Sequence, residues 1–182
     1  MMGIPLVVLD ACVLANFSLC DTLLRLAELP RLYEPKWSEE IIRETTHTLE
    51  SKLGWPGSLT VYLESELRAH FRDAWISGYE PLISKMADDE KDRHVLAAAV
   101  HGGAPIIVTF NLHHFRSQHL EHWGVQALHP QLFLSEIFRQ EQALVLAKLE
   151  QQAADRNRSL RQLLEILSAT VPDFVAIVSD AI

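Results

Sequence analysis

The sequence predicts an α/β protein, a three-layer fold with a parallel central sheet flanked by helices, continued by a helical C-terminal extension. Three observations carry this. Leu6–Leu9 and Ile106–Val108 are short, unbroken apolar runs, the pattern of strands buried on both faces of a parallel sheet. Strand-like and helix-like segments alternate through about the first 130 residues, as crossover units require. From Gln131 onward only helical periodicity is found, so residues 1–130 read as one domain and 131–182 as the extension.

The first strand, Leu6-Val7-Val8-Leu9, ends in Asp10. After a turn near Asn16 to Ser18, Asp21-Thr22 is placed to cap a helix with an apolar face of Leu23, Leu24, Leu26, Ala27 and Leu29, stopped by Pro30. Tyr33-Glu34-Pro35 reads as a weak second strand. Ser38 opens a helix carrying Ile41, Ile42, Thr45 and Leu49 at helical spacing, and Gly54 to Gly57 breaks the chain.

Leu59 to Phe71 has helical periodicity, and Trp75 to Ile83, with Gly78 and Pro81, reads as a short strand and loop. Acids at 88, 89 and 92 precede an alanine-rich helix, Val95 to Val100, where they suit the helix macrodipole; Gly102-Gly103 terminates it. Pro105 to Phe110 is a second buried strand, followed at once by Asn111, and Val125 to Leu128 reads as a last short strand. In the extension, Leu132 to Leu149 marks one helix, Leu160 to Leu167 a second and Phe174 to Val178 a third.

Composition narrows the class. A chain of 182 residues, 48% hydrophobic and 22% charged, can bury one substantial core with a small appendage. Its longest apolar stretches fall far short of the ~20 residues that span a bilayer. The start, Met-Met-Gly-Ile-Pro, lacks a basic stretch followed by an apolar run, so a cytoplasmic location is expected. Cys12 and Cys20 are too few for a disulfide framework and read as reduced, semi-buried thiols. Sixteen Lys plus Arg against 24 Asp plus Glu give a net charge of -8, which opposes sequence-blind attraction to a polyphosphate. Any nucleic-acid role must come from a local site, where bound divalent cations would reverse the field.

Open α/β sheets bind ligands outside the carboxyl ends of their strands. Asp10 and Asn111 both follow strands, Asp92 begins the helix before the second of them, and Glu44 lies one turn into another helix. Glu44 is chosen by its spacing from Ser38, with Glu40 and Glu39 as rivals on the same helix. If Asp10, Glu44 and Asp92 share one cleft, their carboxylates repel each other and take up protons unless a cation compensates. Oxygen ligands of this kind select Mg²⁺ or Mn²⁺, ions that activate water and orient a phosphodiester, which is sufficient chemistry for RNA hydrolysis.

Other residues have plainer readings. Asp88, Asp89 and Glu90 are solvated or capping side chains, with Asp89 an alternative ligand or a support for one. Arg93, in a helix's first turn, reads as a surface residue paired with an acid rather than a phosphate clamp. His113, His114, His119 and His122 have irregular spacing and no cysteine partners, which favours a polar loop and helix surface over a transition-metal cluster. Thr109 is either a ligand-facing hydroxyl or a β-branched strand residue. The stripe Phe133, Ile137, Phe138 and Leu144 reads as packing, onto the main domain or onto another subunit.

The segments VVLDACVLANF, WSEEIIRETTHTLE and DDEKDRHVLAAAVHGGAPIIVTFNLHHF, in that order, resemble the PIN-domain family over roughly residues 5 to 130. Asp-Arg-His-Val-Leu-Ala-Ala-Ala followed by Ile-Val-Thr-Phe-Asn-Leu is similar to the VapC-like toxin branch, and the helical tail to an extra region some members carry. The resemblance implies a PIN-like fold and a Mg²⁺- or Mn²⁺-dependent endoribonuclease, commonly dimeric and inhibited by a cognate antitoxin protein. By position it implies metal-holding roles for Asp10, Glu44 and Asp92 and a catalytic role for Asn111. Cys12 stands where the family commonly has a hydrogen-bonding Asn, Ser or Thr. At the two later positions where the family often has Asp, this chain has Asn111 and His114.

A non-catalytic PIN-like binding module for RNA or protein is the main rival, and retention of all three principal acids speaks against it. A haloacid dehalogenase-like phosphatase would need a second Asp where Cys12 stands. A dinucleotide-binding oxidoreductase would need a glycine-rich turn, and Asp10-Ala11-Cys12-Val13 offers none.

Overall fold

The computed structural model describes residues 4–87 and 89–182; Asp88 and the opening Met1-Met2-Gly3 lie outside them, and with them the readings given to those positions. Five parallel strands form one sheet: β1 (Leu6–Leu9), β2 (Glu34–Ser38), β3 (Trp75–Ile76), β4 (Ile106–Val108) and β5 (Gln126–Leu128), in the order β3-β2-β1-β4-β5. The chain builds outward from β1 through β2 to β3, then crosses back to β4 and β5. The direction therefore reverses between β1 and β4, the place where such sheets open a binding crevice.

β1 is the centre of the sheet because it is apolar on both faces: Val7, Val8 and Leu9 are fully buried. Its register with β4 sets Leu9 opposite Val108, so the next residues, Asp10 and Thr109, emerge side by side at the carboxyl edge. β2 runs further than its composition suggests, reaching Ser38. Pro35 weakens it as a sequence signal, but the wholly buried Trp37 anchors it.

Helices α1 (Ala11–Leu14) and α2 (Phe17–Ala27) follow β1. The expected cap at Asp21-Thr22 is corrected: Asn16 caps α2, its side chain accepting from Leu19 N at 3.2 Å. Asp21 instead pairs with Arg25 and Arg156, and Thr22 is buried inside the helix packing. Ser38 caps α3 (Glu39–Ser51) as expected, accepting from Ile41 N at 3.2 Å. α4 (Gly57–His70) completes a hairpin with α3. After β3 the expected loop holds a short helix, α5 (Glu80–Ile83).

α6 (Arg93–His101) is the alanine-rich helix, five of its residues from Val95 to Ala99 lying buried in sequence. Gly102 ends it where a Cβ would come within 2.7 Å of Ile76 Cδ1, and Gly103 turns the chain away at φ 65°. A 3₁₀ turn, Leu112–His114, and α7 (Ser117–His122) lead to β5.

The extension differs from expectation at one point. The single helix read from Leu132 to Leu149 is two, α8 (Pro130–Gln140) and α9 (Gln142–Asp155), broken at Glu141 (φ -135°, ψ 52°). α10 (Leu160–Leu167) and α11 (Pro172–Ser179) follow. Phe133 of the apolar stripe packs onto the main body, its ring edge-on against Tyr33 at 5.1 Å, and Phe138 packs within the extension, meeting Phe174 of α11 at 6.2 Å. α9 lies on α2, and residues of both belong to one continuous apolar core. Among the described residues no helix is long and apolar enough to cross a membrane.

Candidate functional site

Asp10 sits at the reversal point, 3% exposed, as the first residue beyond β1 and the N-cap of α1. Its main-chain N–H continues the strand ladder to Val108 O at 3.1 Å. Its carboxylate is held on three sides: Ala11 N–H donates to Oδ1 at 2.7 Å, the Thr109 hydroxyl to Oδ2 at 2.6 Å, and the Cys12 thiol to Oδ2 at 3.2 Å. A buried carboxylate needs such donors, and these three come from the two adjoining strand ends. The Thr109 hydroxyl thus binds Asp10 itself, a role that neither of its two readings named, and Cys12 supplies a weak donor where a hydroxyl or amide was the expected type.

Burial, then the charge of Asp10, pushes the Cys12 thiol up to about 12, so it stays protonated and able to donate. Phe110 N–H in turn donates to Cys12 Sγ at 3.4 Å, and Asn111 N–H to Thr109 Oγ1 at 3.0 Å. Asn111 thus enters the site first through its backbone, tying the 3₁₀ turn that follows to the same polar chain that holds Asp10.

Asp92 is the N-cap residue of α6, placed by a turn in which Asp89 O accepts from Asp92 N at 2.9 Å and Arg93 N at 3.1 Å. Asp89 also accepts Lys91 N–H on its side chain inside that turn, and it does not cap the helix, whose N-cap is Asp92. Burial raises the Asp92 carboxyl first, and the negative charge of Asp10 raises it further, so the two acids lie near one another. His114 opposes this: its Nδ1 lies 2.9 Å from Asp92 Oδ2.

Glu44, on α3, faces a residue the sequence reading passed over. His94 Nε2 stands 3.3 Å from Glu44 Oε1, and His94 is only 9% exposed. Burial pulls the His94 imidazole towards neutrality, but Glu44, then Glu40 and Asp10, more than reverse this, and the net direction is upward. The rival acids pair with arginines, Glu40 with Arg43 and Glu39 with Arg68, although Glu40 still lies close enough to His94 to raise it. His94 had a signal in the sequence, being a polar residue inside an otherwise apolar helix, where burial demands a partner.

The structure therefore brings Asp10, Thr109, Cys12 and the Asn111 backbone into direct contact, sets Asp92 with His114 beside them, and links Glu44 through His94. His119 and His122 fall on α7, and His113 stacks on His114 at 4.0 Å. Among the described residues no three His, Cys, Asp or Glu side chains converge closely enough to hold an ion as they stand. The donor chemistry nonetheless suits a cation. Asp92 Oδ2, His114 Nδ1 and both ring nitrogens of His94 are buried without a hydrogen-bond partner, the short approaches above lacking hydrogen-bond alignment. Each such atom costs ~1–3 kcal/mol, a cost that a bound cation would relieve at the carboxylate and at any unprotonated imidazole nitrogen.

A family model described as PIN domain matches residues 6–113, more than half of the chain. The chain is also 38% identical over 106 residues to a Mycobacterium tuberculosis protein named "Putative ribonuclease VapC50", the match covering 57% of this chain and 63% of that relative. It thus spans less than two thirds of the relative's length. No solved structure matches the chain. The matched region begins at β1 and takes in Asp10, Glu44, Asp92 and Asn111. This chain belongs to the PIN-domain family.

Proposed function

We propose that this protein is a divalent-metal-dependent endoribonuclease, the toxin of a VapBC-like toxin–antitoxin pair, with Asp10, Glu44 and Asp92 holding Mg²⁺ or Mn²⁺ and Asn111 assisting catalysis. The observation that carries the reading is the electrostatic one. Asp10 is fixed with its carboxylate oriented by three donors, and the partly buried Asp92 has its carboxyl raised by burial and then by the charge of Asp10. Two acids that sense each other's charge away from bulk water are unstable without a positive partner.

The bound ion would supply a water of lowered pKa and a counter-charge for the oxygen that departs. The protein's own residues do the rest. Thr109 and Ala11 keep Asp10 immobile, so that the geometry of a bound phosphodiester is not spent on reorganising it. His94, two residues beyond Asp92, stands 3.3 Å from Glu44 and ties it to the start of α6. Asn111, anchored by its main-chain N–H, has a carboxamide free to donate to a phosphate oxygen as charge develops there. A net charge of -8 keeps the rest of the surface unattractive to RNA, concentrating binding at the cleft.

Family membership and the VapC name of the relative support RNA as substrate, a cognate antitoxin protein as partner, a homodimer and a cytoplasmic location. We propose likewise that residues 1–130 carry the nuclease and 131–182 act as its extension. The test compares wild type with Asp10→Asn and Asp92→Asn on a pool of cellular RNAs, with Mg²⁺, with Mn²⁺ and with chelator. Cleavage should require metal and both acids; equal cleavage by all three proteins refutes the mechanism.

A further inference from the structure

The carboxylates account for the oxygen donors of the proposed centre and leave its imidazoles unexplained. We infer that His114 is a ligand of the same centre, binding through Nδ1 beside Asp92, and that this nitrogen makes the site prefer a first-row transition ion such as Mn²⁺ over Mg²⁺. The inference rests on the nuclease reading above and adds to it the identity of the metal.

Three features of the molecule lead to this. First, His114 Nδ1 and Asp92 Oδ2 are 2.9 Å apart, both buried, and neither has a hydrogen-bond partner. A histidine placed only to neutralise Asp92 would align its N–H with the carboxylate and satisfy both atoms. Here two donor atoms approach each other unaligned, as two ligands of one ion do. Second, His114 is positioned by the polar chain that positions Asp10. Its main-chain N–H donates to Asn111 O at 2.9 Å, Asn111 main-chain N–H to Thr109 Oγ1 at 3.0 Å, and the Thr109 hydroxyl to Asp10 Oδ2 at 2.6 Å. The His113 ring packs on the His114 ring at 4.0 Å and limits its rotation. Third, His94, nine-tenths buried and with neither ring nitrogen hydrogen-bonded, lies two residues beyond Asp92 and faces Glu44. The neighbourhood thus offers more unsatisfied donor atoms than the carboxylates alone provide.

Imidazole nitrogen discriminates between the candidate ions. Mg²⁺ takes oxygen ligands in a strict octahedron and gives up its waters reluctantly, whereas first-row transition ions accept mixed nitrogen and oxygen sets. Asp92 and His114 also differ in what they give the ion: the carboxylate supplies charge, which both ions need, and the imidazole supplies a softer donor, which only the transition ion rewards.

The experiment uses the full chain stripped of metal with chelator and then titrated with Mn²⁺ or Mg²⁺, followed by calorimetry and by pulsed electron paramagnetic resonance of bound Mn²⁺. Variants are His114→Asp, His114→Ala, His94→Gln and the Asp10→Asn, Asp92→Asn pair, each checked for folding by circular dichroism. Wild type should show nitrogen modulation on Mn²⁺; both His114 variants should lose it and His94→Gln keep it. The ratio of Mn²⁺ to Mg²⁺ affinity should fall by ~10-fold or more in His114→Asp. Bound Mn²⁺ without nitrogen modulation in wild type, or modulation that survives in both His114 variants, overturns the assignment while leaving the nuclease reading standing. Mn²⁺ binding that is absent, or unchanged in the Asp10→Asn, Asp92→Asn pair, overturns both.

Discussion

The Thr109 hydroxyl donates to Asp10 Oδ2 at 2.6 Å across the joint between the two strands where the sheet changes direction. Because Thr109 also accepts from Asn111 N–H, one side chain fixes both the first acid and the turn that carries His114. Thr109→Val keeps the β-branched shape and removes the hydroxyl. It should cost about 1–3 kcal/mol in stability, the range for losing a hydrogen bond to a buried charged group, and lower metal-dependent cleavage by more than tenfold. Thr109→Ser should retain most of both. Urea melts and RNA cleavage rates on the three proteins check this; a Val variant as active as wild type would remove Thr109 from the machinery.

Asp92 offers a test in which stability and activity move in opposite directions. Its carboxyl is raised, first by burial and then by Asp10, so its ionised form is disfavoured in the folded protein. A raised folded-state pKa contributes stability that is complete below the ordinary carboxylate range and is lost as pH rises through the raised value, where the ionised acid is left disfavoured. Asp92→Asn should therefore raise the metal-free melting temperature by a few degrees while abolishing cleavage, the pattern of a site that trades stability for function. A variant that melts lower than wild type without metal would show that His114 already compensates the charge.

Much of this site was legible in the residues, for identifiable reasons. Asp10 and Thr109 end apolar runs whose register follows from burial on both faces, so their adjacency is a consequence of the sheet. Asn16 was hidden because Asp21-Thr22 offered an equally good cap five residues later, and packing of Thr22 against α9 decides between them. The break at Glu141 carries no Gly or Pro; tertiary packing overrides helical periodicity there. His94 was missed because a histidine in an alanine-rich segment shows its importance only once α3 brings Glu44 to it.

Cys20 provides the alkaline prediction. Burial, then Asp21, pushes its thiol up to about 12. The folded state therefore keeps a proton that the unfolded chain, with an ordinary thiol, loses near pH ~8.5. The stability this represents is complete below that value and is lost as pH rises towards 12. Urea midpoints should fall steadily between about pH 8 and about pH 11, and Cys20→Ala should flatten the decline. Parallel slopes for the two proteins would mean that the thiol gains solvent access before it ionises.

The attachment of α9 to α2 can be assigned to one residue. Gln152 is 2% exposed, lies 2.8 Å from the Thr22 hydroxyl through Oε1 and donates from Nε2 to Ser18 O at 3.2 Å. Around it run ion pairs of Arg25 with Asp155 and of Arg156 with Asp21, exposed to solvent that screens them and so worth little. The buried amide should therefore dominate. Gln152→Met, which nearly conserves volume, should cost about 1–2 kcal/mol for the lost hydrogen bonds, and Gln152→Ala roughly 1–2 kcal/mol more for the cavity. Asp155→Asn should cost little. Since Gln152 and Asp155 bond residues of α2 and α9 and none of the proposed metal-holding acids, none of the three variants should change the cleavage rate of the folded fraction. Chemical denaturation of the three variants gives the order; an Asp155→Asn protein less stable than Gln152→Ala would put the surface ion pairs in charge of the contact.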